Sequence, residues 1–160
     1  MLRIGQGYDI HRLVTWRPLR LGGITIATRE ELGCAGHSDA DVLLHAITDA
    51  VLGSLALGDI GQWFPDRDER YRDIDSRQLL KQVLSSPQLA GWHLVNLDCT
   101  VITQKPKLAP HIPAMRGQIA AIFGVPVSLI SVKAKTNEEL DAVGRGEAVA
   151  AHAVVLGETP

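Results

Sequence analysis

The most restrictive stretch of the chain runs from Ser38 to Asp59, where aspartates and His45 occur but no Lys, Arg, Glu or Gln. A solvated helix face is normally built from those long, helix-favouring side chains. A helix without them offers water no face and has to be enclosed by the rest of the fold. Capped at Ser38 or Asp39, it would run to about Leu57. Asp41, His45 and Asp49 are spaced four apart and fall on one stripe. Asp and His are poor helix formers, so a tertiary contact must offset their presence. On this segment alone two readings stay open: a buried histidine satisfied by an internal hydrogen bond, or groups held in a crevice for chemistry.

The N-terminus adds a second constraint. Leu2 to Gly7 reads as a strand that leads into Gly5-Gln6-Gly7-Tyr8-Asp9-Ile10-His11. In extended backbone Asp9 and His11 point to the same face. One carboxylate and two imidazoles form a common ligand set for zinc or another divalent ion. Asp9, His11 and His45 together would leave a coordination position open, as a catalytic site requires. By spacing alone the pattern is moderately specific, since many such pairs are ordinary surface residues.

The rest of the chain alternates strands and helices. Leu19 to Ile26, with Gly22-Gly23 inside it, reads as a strand or hairpin arm. Asp66 to Arg72 carries six charges in seven residues and reads as a solvated, mobile loop. Ser76, preceded by Asp75, caps a second helix through Leu84. Leu94 to Ile102 reads as a buried strand rich in β-branched residues. Gln104 to Pro113 is a Pro-rich loop feeding a helix whose first turn holds Pro113. Leu129 to Ala134 is a strand, Asn137 opens a helical turn, and Glu147 to Leu156 is a final strand apolar on both faces. The pattern predicts one domain over 1–160, an α/β (α+β) sandwich. Its mixed sheet would carry helices on one face and turn the other toward further subunits.

Composition excludes several classes. Net charge is −2, which argues against a nucleic-acid binder. No stretch resembles a signal peptide, and Val42 to Leu57, interrupted by His45 and Asp49, is too short to span a bilayer. Cys34 and Cys99 lack metal-finger spacing and read as reduced packing thiols. A cytoplasmic setting follows as the expectation.

Longer blocks carry a resemblance. Arg3 to His11, His37 to Ala50, Leu57-Gly58-Asp59-Ile60-Gly61, Phe64-Pro65-Asp66, Asp75-Ser76, Pro106-Lys107, Pro110 to Pro113 with Met115-Arg116, and Gly144-Arg145-Gly146-Glu147 occur in this order. Together they resemble the 2-C-methyl-D-erythritol 2,4-cyclodiphosphate synthase family over nearly the whole chain. The resemblance implies a homotrimer with active sites between subunits. It implies that 4-diphosphocytidyl-2-C-methyl-D-erythritol 2-phosphate is cyclised with release of CMP. Zinc would sit on Asp9, His11 and His45, the first two also facing substrate. Magnesium or manganese would bridge the substrate diphosphate, with Glu138 as protein ligand.

The same resemblance distributes the remaining roles. His37 and Ser38, with the following helix N-terminus, would meet the 2-phosphate. Asp49 would orient an imidazole. Asp59, Gly61, Phe64 and Asp66 would hold the methylerythritol part, with Arg72 closing over phosphate. Thr103, Gln104, Lys105, Pro106 and Lys107, with Ala134, Lys135 and Thr136, would receive the cytidine diphosphate. Catalytic contacts would fall to His37, Asp49, Lys107 and Thr136. Arg145 and Glu147 would ring one end of a central cavity, which in some members accepts isoprenoid diphosphates. Three positions depart from the pattern: Ala142 where an aromatic substrate contact is usual, Lys135 for a small hydroxyl residue, and Asp141 for a glycine. They bear on substrate affinity more than on reaction type. A metal-dependent phosphohydrolase and a non-catalytic trimeric binder of isoprenoid diphosphates are the rival readings.

Overall fold

A computed structural model describes residues 1–28 and 31–160. The elements, in chain order, begin with β1 (Leu2–Val14), β2 (Leu19–Leu21), β3 (Ile24–Ile26), β4 (Gly33–Cys34), α1 (Val42–Ser54) and α2 (Ile60–Trp63). They continue with α3 (Ser76–Leu84), β5 (His93–Ile102), α4 (Ile112–Phe123), β6 (Ile130–Lys135), α5 (Asp141–Gly144) and β7 (Ala148–Glu158). Five strands form one mixed sheet in the order β4-β1-β7-β5-β6, with β5 and β6 parallel and the other neighbours antiparallel. β2 and β3 pair separately as a hairpin whose turn is Gly22-Gly23.

α1 is enclosed, as its composition demands. Of its residues only Asp49 and Gly53 are not buried. One side lies on β1 and β7, and the other meets α3 and β2. Its limits differ from the expected ones. Asp41, not Ser38 or Asp39, is the N-cap, and the helix ends at Ser54. Asp41 is fully buried and accepts from Leu44 N at 3.0 Å, Gly22 N at 2.9 Å and Gly23 N at 2.7 Å. It therefore ties the hairpin turn to the helix start, and three backbone donors explain a carboxylate in the core. Burial pushes its pKa up, against the pull of those N–H groups.

β1 is longer than its sequence suggested and includes Asp9 and His11. Its inner face presents Gly5, Gly7, Asp9 and His11 in succession. The segment at 66–72 is largely exposed and contains a 3₁₀ turn, Glu69–Tyr71. The sheet face opposite α1 is open, with Ile4, Tyr8, Ile10 and Val154 exposed. Cys34 and Cys99 are free and buried, and burial pushes both thiols up to about 12, so they stay neutral.

Candidate active site

Two glycines set the geometry. A methyl group at Gly5 would lie 1.8 Å from the Ala50 carbonyl oxygen, and one at Gly7 would lie 1.9 Å from that of Ala46. The helix backbone thus rests directly on the strand backbone. The repeats match: four helical residues advance about 6 Å and two strand residues about 6.6 Å. His45, adjacent to Ala46, is carried over the next inward positions of β1, which are Asp9 and His11.

The three side chains converge. Asp9 Oδ2 lies 2.9 Å from His11 Nε2 and 3.0 Å from His45 Nδ1, and the two ring nitrogens are 3.1 Å apart. His11 Nδ1 faces the Ala35 carbonyl oxygen at 2.7 Å, so that nitrogen carries a hydrogen and Nε2 is the one turned toward the cluster. His45 Nε2 faces the hydroxyls of Ser76 at 2.9 Å and Ser38 at 3.1 Å, which turns Nδ1 toward Asp9. Lone pairs this close repel unless protons or a cation sit among them. The donor set, one carboxylate and two imidazoles, fits a divalent metal, and it is the one such cluster among the described residues. Burial raises the Asp9 carboxyl, but hydrogen bonds and charge from His11 and His45 outweigh it and hold the group well below the usual carboxylate range. Burial lowers His11, while the bond and charge of Asp9 raise it above the ordinary imidazole value overall.

A cavity of about 210 Å³ opens beside the cluster, lined also by His37, Ser38, Gly61, Phe64, Asp66 and Tyr71. His37 Nε2 lies 3.1 Å from the Asp68 carbonyl oxygen and donates to it, which leaves Nδ1 for a ligand. Phe64 and Tyr71 meet edge to face at 5.2 Å and wall off one side. Asp59 instead caps α2, accepting from Gln62 N at 2.9 Å and Gln62 Nε2 at 2.7 Å. Arg72 pairs with Glu69 at 3.0 Å.

One expectation needs correction. Asp49 does not orient an imidazole: its carboxylate accepts from Ile60 N at 2.7 Å, and both nitrogens of His45 are engaged elsewhere. At the N-terminus of α1 the Asp41 carboxylate already accepts from Leu44 N, while His37 and Ser38 line the cavity.

The expected cytidine residues form a separate group. None of them lines the cavity beside Asp9. Lys105 and Pro106 line another of about 530 Å³, with Leu13 and Leu19. Thr103 N donates to the Lys135 carbonyl oxygen at 3.0 Å, joining the 103–107 and 134–136 segments. Gln104 Oε1 is buried with no hydrogen-bond partner among the described residues. Thr136 Oγ1 lies 3.2 Å from Glu138 Oε1. Arg145 pairs with Glu147 of the same chain at 2.8 Å. Ala142 is half-buried in α5. Asp141 takes the left-handed conformation (φ 57°) of a glycine, stabilised by bonds to Gly144 N and Asn137 Nδ2.

The family model for the YgbB family matches residues 2–158. The chain belongs to the YgbB family. A curated relative from Geobacter sulfurreducens, a 2-C-methyl-D-erythritol 2,4-cyclodiphosphate synthase, is 58% identical over 157 residues, 98% of this chain and 99% of its own. The Chromobacterium violaceum synthase is 56% identical, covering 98% of each chain. A solved 2C-methyl-D-erythritol-2,4-cyclodiphosphate synthase in a CDP-bound form superposes with TM-score 0.88 at 38% identity, over 98% of this chain and 100% of that one. The bifunctional IspDF of Campylobacter jejuni matches with TM-score 0.93 at 38% identity, and this chain spans 43% of it.

For a YgbB-family chain, sequence reasoning missed Ser76, Asp39 and Tyr71 as neighbours of the site. Ser76 read as a helix cap, although its pairing with Asp75 stood among the family blocks. The order in which loops fold over His45 leaves no periodic trace in the sequence. The absence of long polar residues around His45 was the signal that something buried must satisfy its ring.

Proposed function

We propose that this chain converts 4-diphosphocytidyl-2-C-methyl-D-erythritol 2-phosphate to 2-C-methyl-D-erythritol 2,4-cyclodiphosphate with release of CMP. The observation that carries the reading is the convergence of Asp9, His11 and His45 beside a polar cavity, in a chain 58% identical to a synthase of that name. Both reacting groups are phosphates, so the barrier lies in charge repulsion and in folding the substrate back on itself. A divalent ion, zinc by the donor set, supplies positive charge to a phosphoryl oxygen when bound. Asp9 and His11 on a strand and His45 on an enclosed helix hold its place rigidly. His37, anchored through Nε2, lines the cavity with Nδ1 left to meet a phosphate. Phe64 and Tyr71 exclude water from one wall, which favours attack by the substrate's own phosphate over hydrolysis.

The active unit is a trimer. The open sheet face exposes Ile4, Tyr8, Ile10 and Val154, apolar area that a second and third copy would cover. Asp9, Ala151, Val101 and Ala134 lie in one row across the sheet, about 14 Å end to end at the usual strand spacing. Ala151 and Val101 between them are fully buried, so no ligand crosses that row within one chain. That separation supports a reading in which the segments at 103–107 and 134–136 would receive the cytidine diphosphate for a neighbouring copy's Asp9 cluster. Glu138, beside Thr136, would hold magnesium or manganese on the diphosphate. In such a trimer Arg145 and Glu147 would flank a central space able to take an isoprenoid diphosphate.

The test is incubation of the protein, zinc and magnesium with the substrate, read by phosphorus NMR. Cyclic diphosphate and CMP are expected, and His45→Ala should abolish both. Linear phosphate products would favour a hydrolase, and no turnover would favour a binder.

A further inference from the structure

The hydrogen positions around His45 are decided two steps away from it. Its Nε2 faces two hydroxyls, Ser76 Oγ at 2.9 Å and Ser38 Oγ at 3.1 Å. The Ser76 hydroxyl also reaches Asp39 Oδ1 at 2.5 Å. A carboxylate only accepts, so the one hydrogen of Ser76 goes to Asp39. What Ser76 turns toward His45 is then a lone pair. Ser38 differs: its oxygen accepts from Ala40 N at 3.1 Å and its own hydrogen is uncommitted. Left alone, Ser38 could donate to Nε2 and force the ring hydrogen onto Nδ1, between His45 and Asp9. That arrangement would set two lone pairs 2.9 Å apart at Ser76, which is repulsive.

We propose that Asp39 and Ser76 are positioning residues that hold His45 in the tautomer with hydrogen on Nε2, and so keep Nδ1 free to bind the divalent metal. This rests on Asp9, His11 and His45 being the metal ligands. The chain is Asp39 carboxylate, Ser76 hydroxyl, His45 ring, with Ser76 buried at the first residue of α3 and Asp39 only partly buried. Docking of α3 against α1 thereby completes the metal site without contributing a ligand. It takes over the role that Asp49, committed to Ile60 N, does not perform. His11 needs no such device, because a backbone carbonyl, which cannot donate, sets its hydrogen.

The experiment titrates the full-length protein with Zn²⁺ alone in competition with a chromophoric chelator, for wild type, Ser76→Ala, Asp39→Ala and Asp39→Asn. Loss of a partner that orients a ligating histidine costs about 10–100-fold in metal affinity. Ser76→Ala and Asp39→Ala should weaken Zn²⁺ binding by that factor. Asp39→Asn keeps an oxygen acceptor and should stay near wild type. Long-range proton–nitrogen NMR of the proteins at one equivalent of Zn²⁺ gives the second readout. His45 should carry its hydrogen on Nε2 in wild type, whereas Ser76→Ala should show a population with hydrogen on Nδ1, a change that a merely structural loss would not produce. If Ser76→Ala does not fold, the two Asp39 variants decide. Wild-type binding with unchanged affinity and tautomer in Ser76→Ala and Asp39→Ala overturns this proposal alone. Failure of the wild type to bind Zn²⁺ overturns the ligand assignment as well.

Discussion

Replacing Gly7 by alanine separates α1 from β1 and so tests what assembles the ligand cluster. The new methyl would lie 1.9 Å from the Ala46 carbonyl oxygen and 2.8 Å from Ala50 N. Both are helix backbone atoms, so no side-chain rotation relieves the clash. Ordinary contact begins at 3.4 Å, which asks the helix to retreat by about 1.5 Å at this point. His45 moves with the helix, whereas Asp9 and His11 stay on the strand. Metal–ligand distances tolerate only about 0.2 Å. Overpacking of this kind costs about 1–3 kcal/mol of stability. The variant should therefore unfold at lower urea concentration and bind Zn²⁺ at least about 100-fold more weakly, the upper end for a lost ligand-orienting partner. Gly53→Ala is the control. Its methyl would meet only the Gln6 carbonyl oxygen at 3.8 Å, and alanine there should add about 0.5–1 kcal/mol. A folded Gly7→Ala protein that binds Zn²⁺ like wild type would refute the role given to this contact.

Other outcomes follow from the same geometry. Asp41→Ala removes a helix cap and strands two further buried N–H groups, so urea denaturation should show a loss of about 3–5 kcal/mol. In the metal-free protein, the depressed Asp9 pKa adds stability above the unfolded carboxylate value of about 3.9, lost as pH falls through the folded value. The raised His11 pKa adds stability below the unfolded imidazole value of about 6.5, lost as pH rises through the folded value. Thermal melts in chelator should therefore show this contribution peaking between those limits, while added Zn²⁺ should raise the melting temperature more at pH 8 than at pH 5. Val154→Arg places charge on the open sheet face and should convert a trimer to monomers in sedimentation, with helical circular dichroism unchanged.

Much of this fold was legible from residue types. The lack of long polar side chains between Ser38 and Asp59 required an enclosed helix, and α1 is enclosed. Gly5 and Gly7 alternate with outward residues, and Asp9 and His11 continue their phase, so the ligand face could be read from period two alone. The parallel pairing of β5 with β6 and the site's outer neighbours could not be read so directly. They depend on how loops return over α1, and side chains such as Ser76 act through contacts far apart in sequence. Asp41 and Asp49 misled for a related reason. A helical stripe shows which residues share a face but not which of them reach a backbone donor first: Asp41 caps α1 and holds the hairpin turn, and Asp49 accepts from the first residue of α2. Asp59 followed the same rule at α2.

X-ray absorption at the zinc edge, on protein loaded with one equivalent of Zn²⁺, measures the proposed centre itself. Two imidazole nitrogens at about 2.0–2.1 Å and light oxygen scatterers at about 2.0–2.2 Å are expected, with the imidazole signal halved in His45→Ala. A sulfur shell near about 2.3 Å, or a spectrum that His45→Ala leaves unchanged, would contradict the assignment.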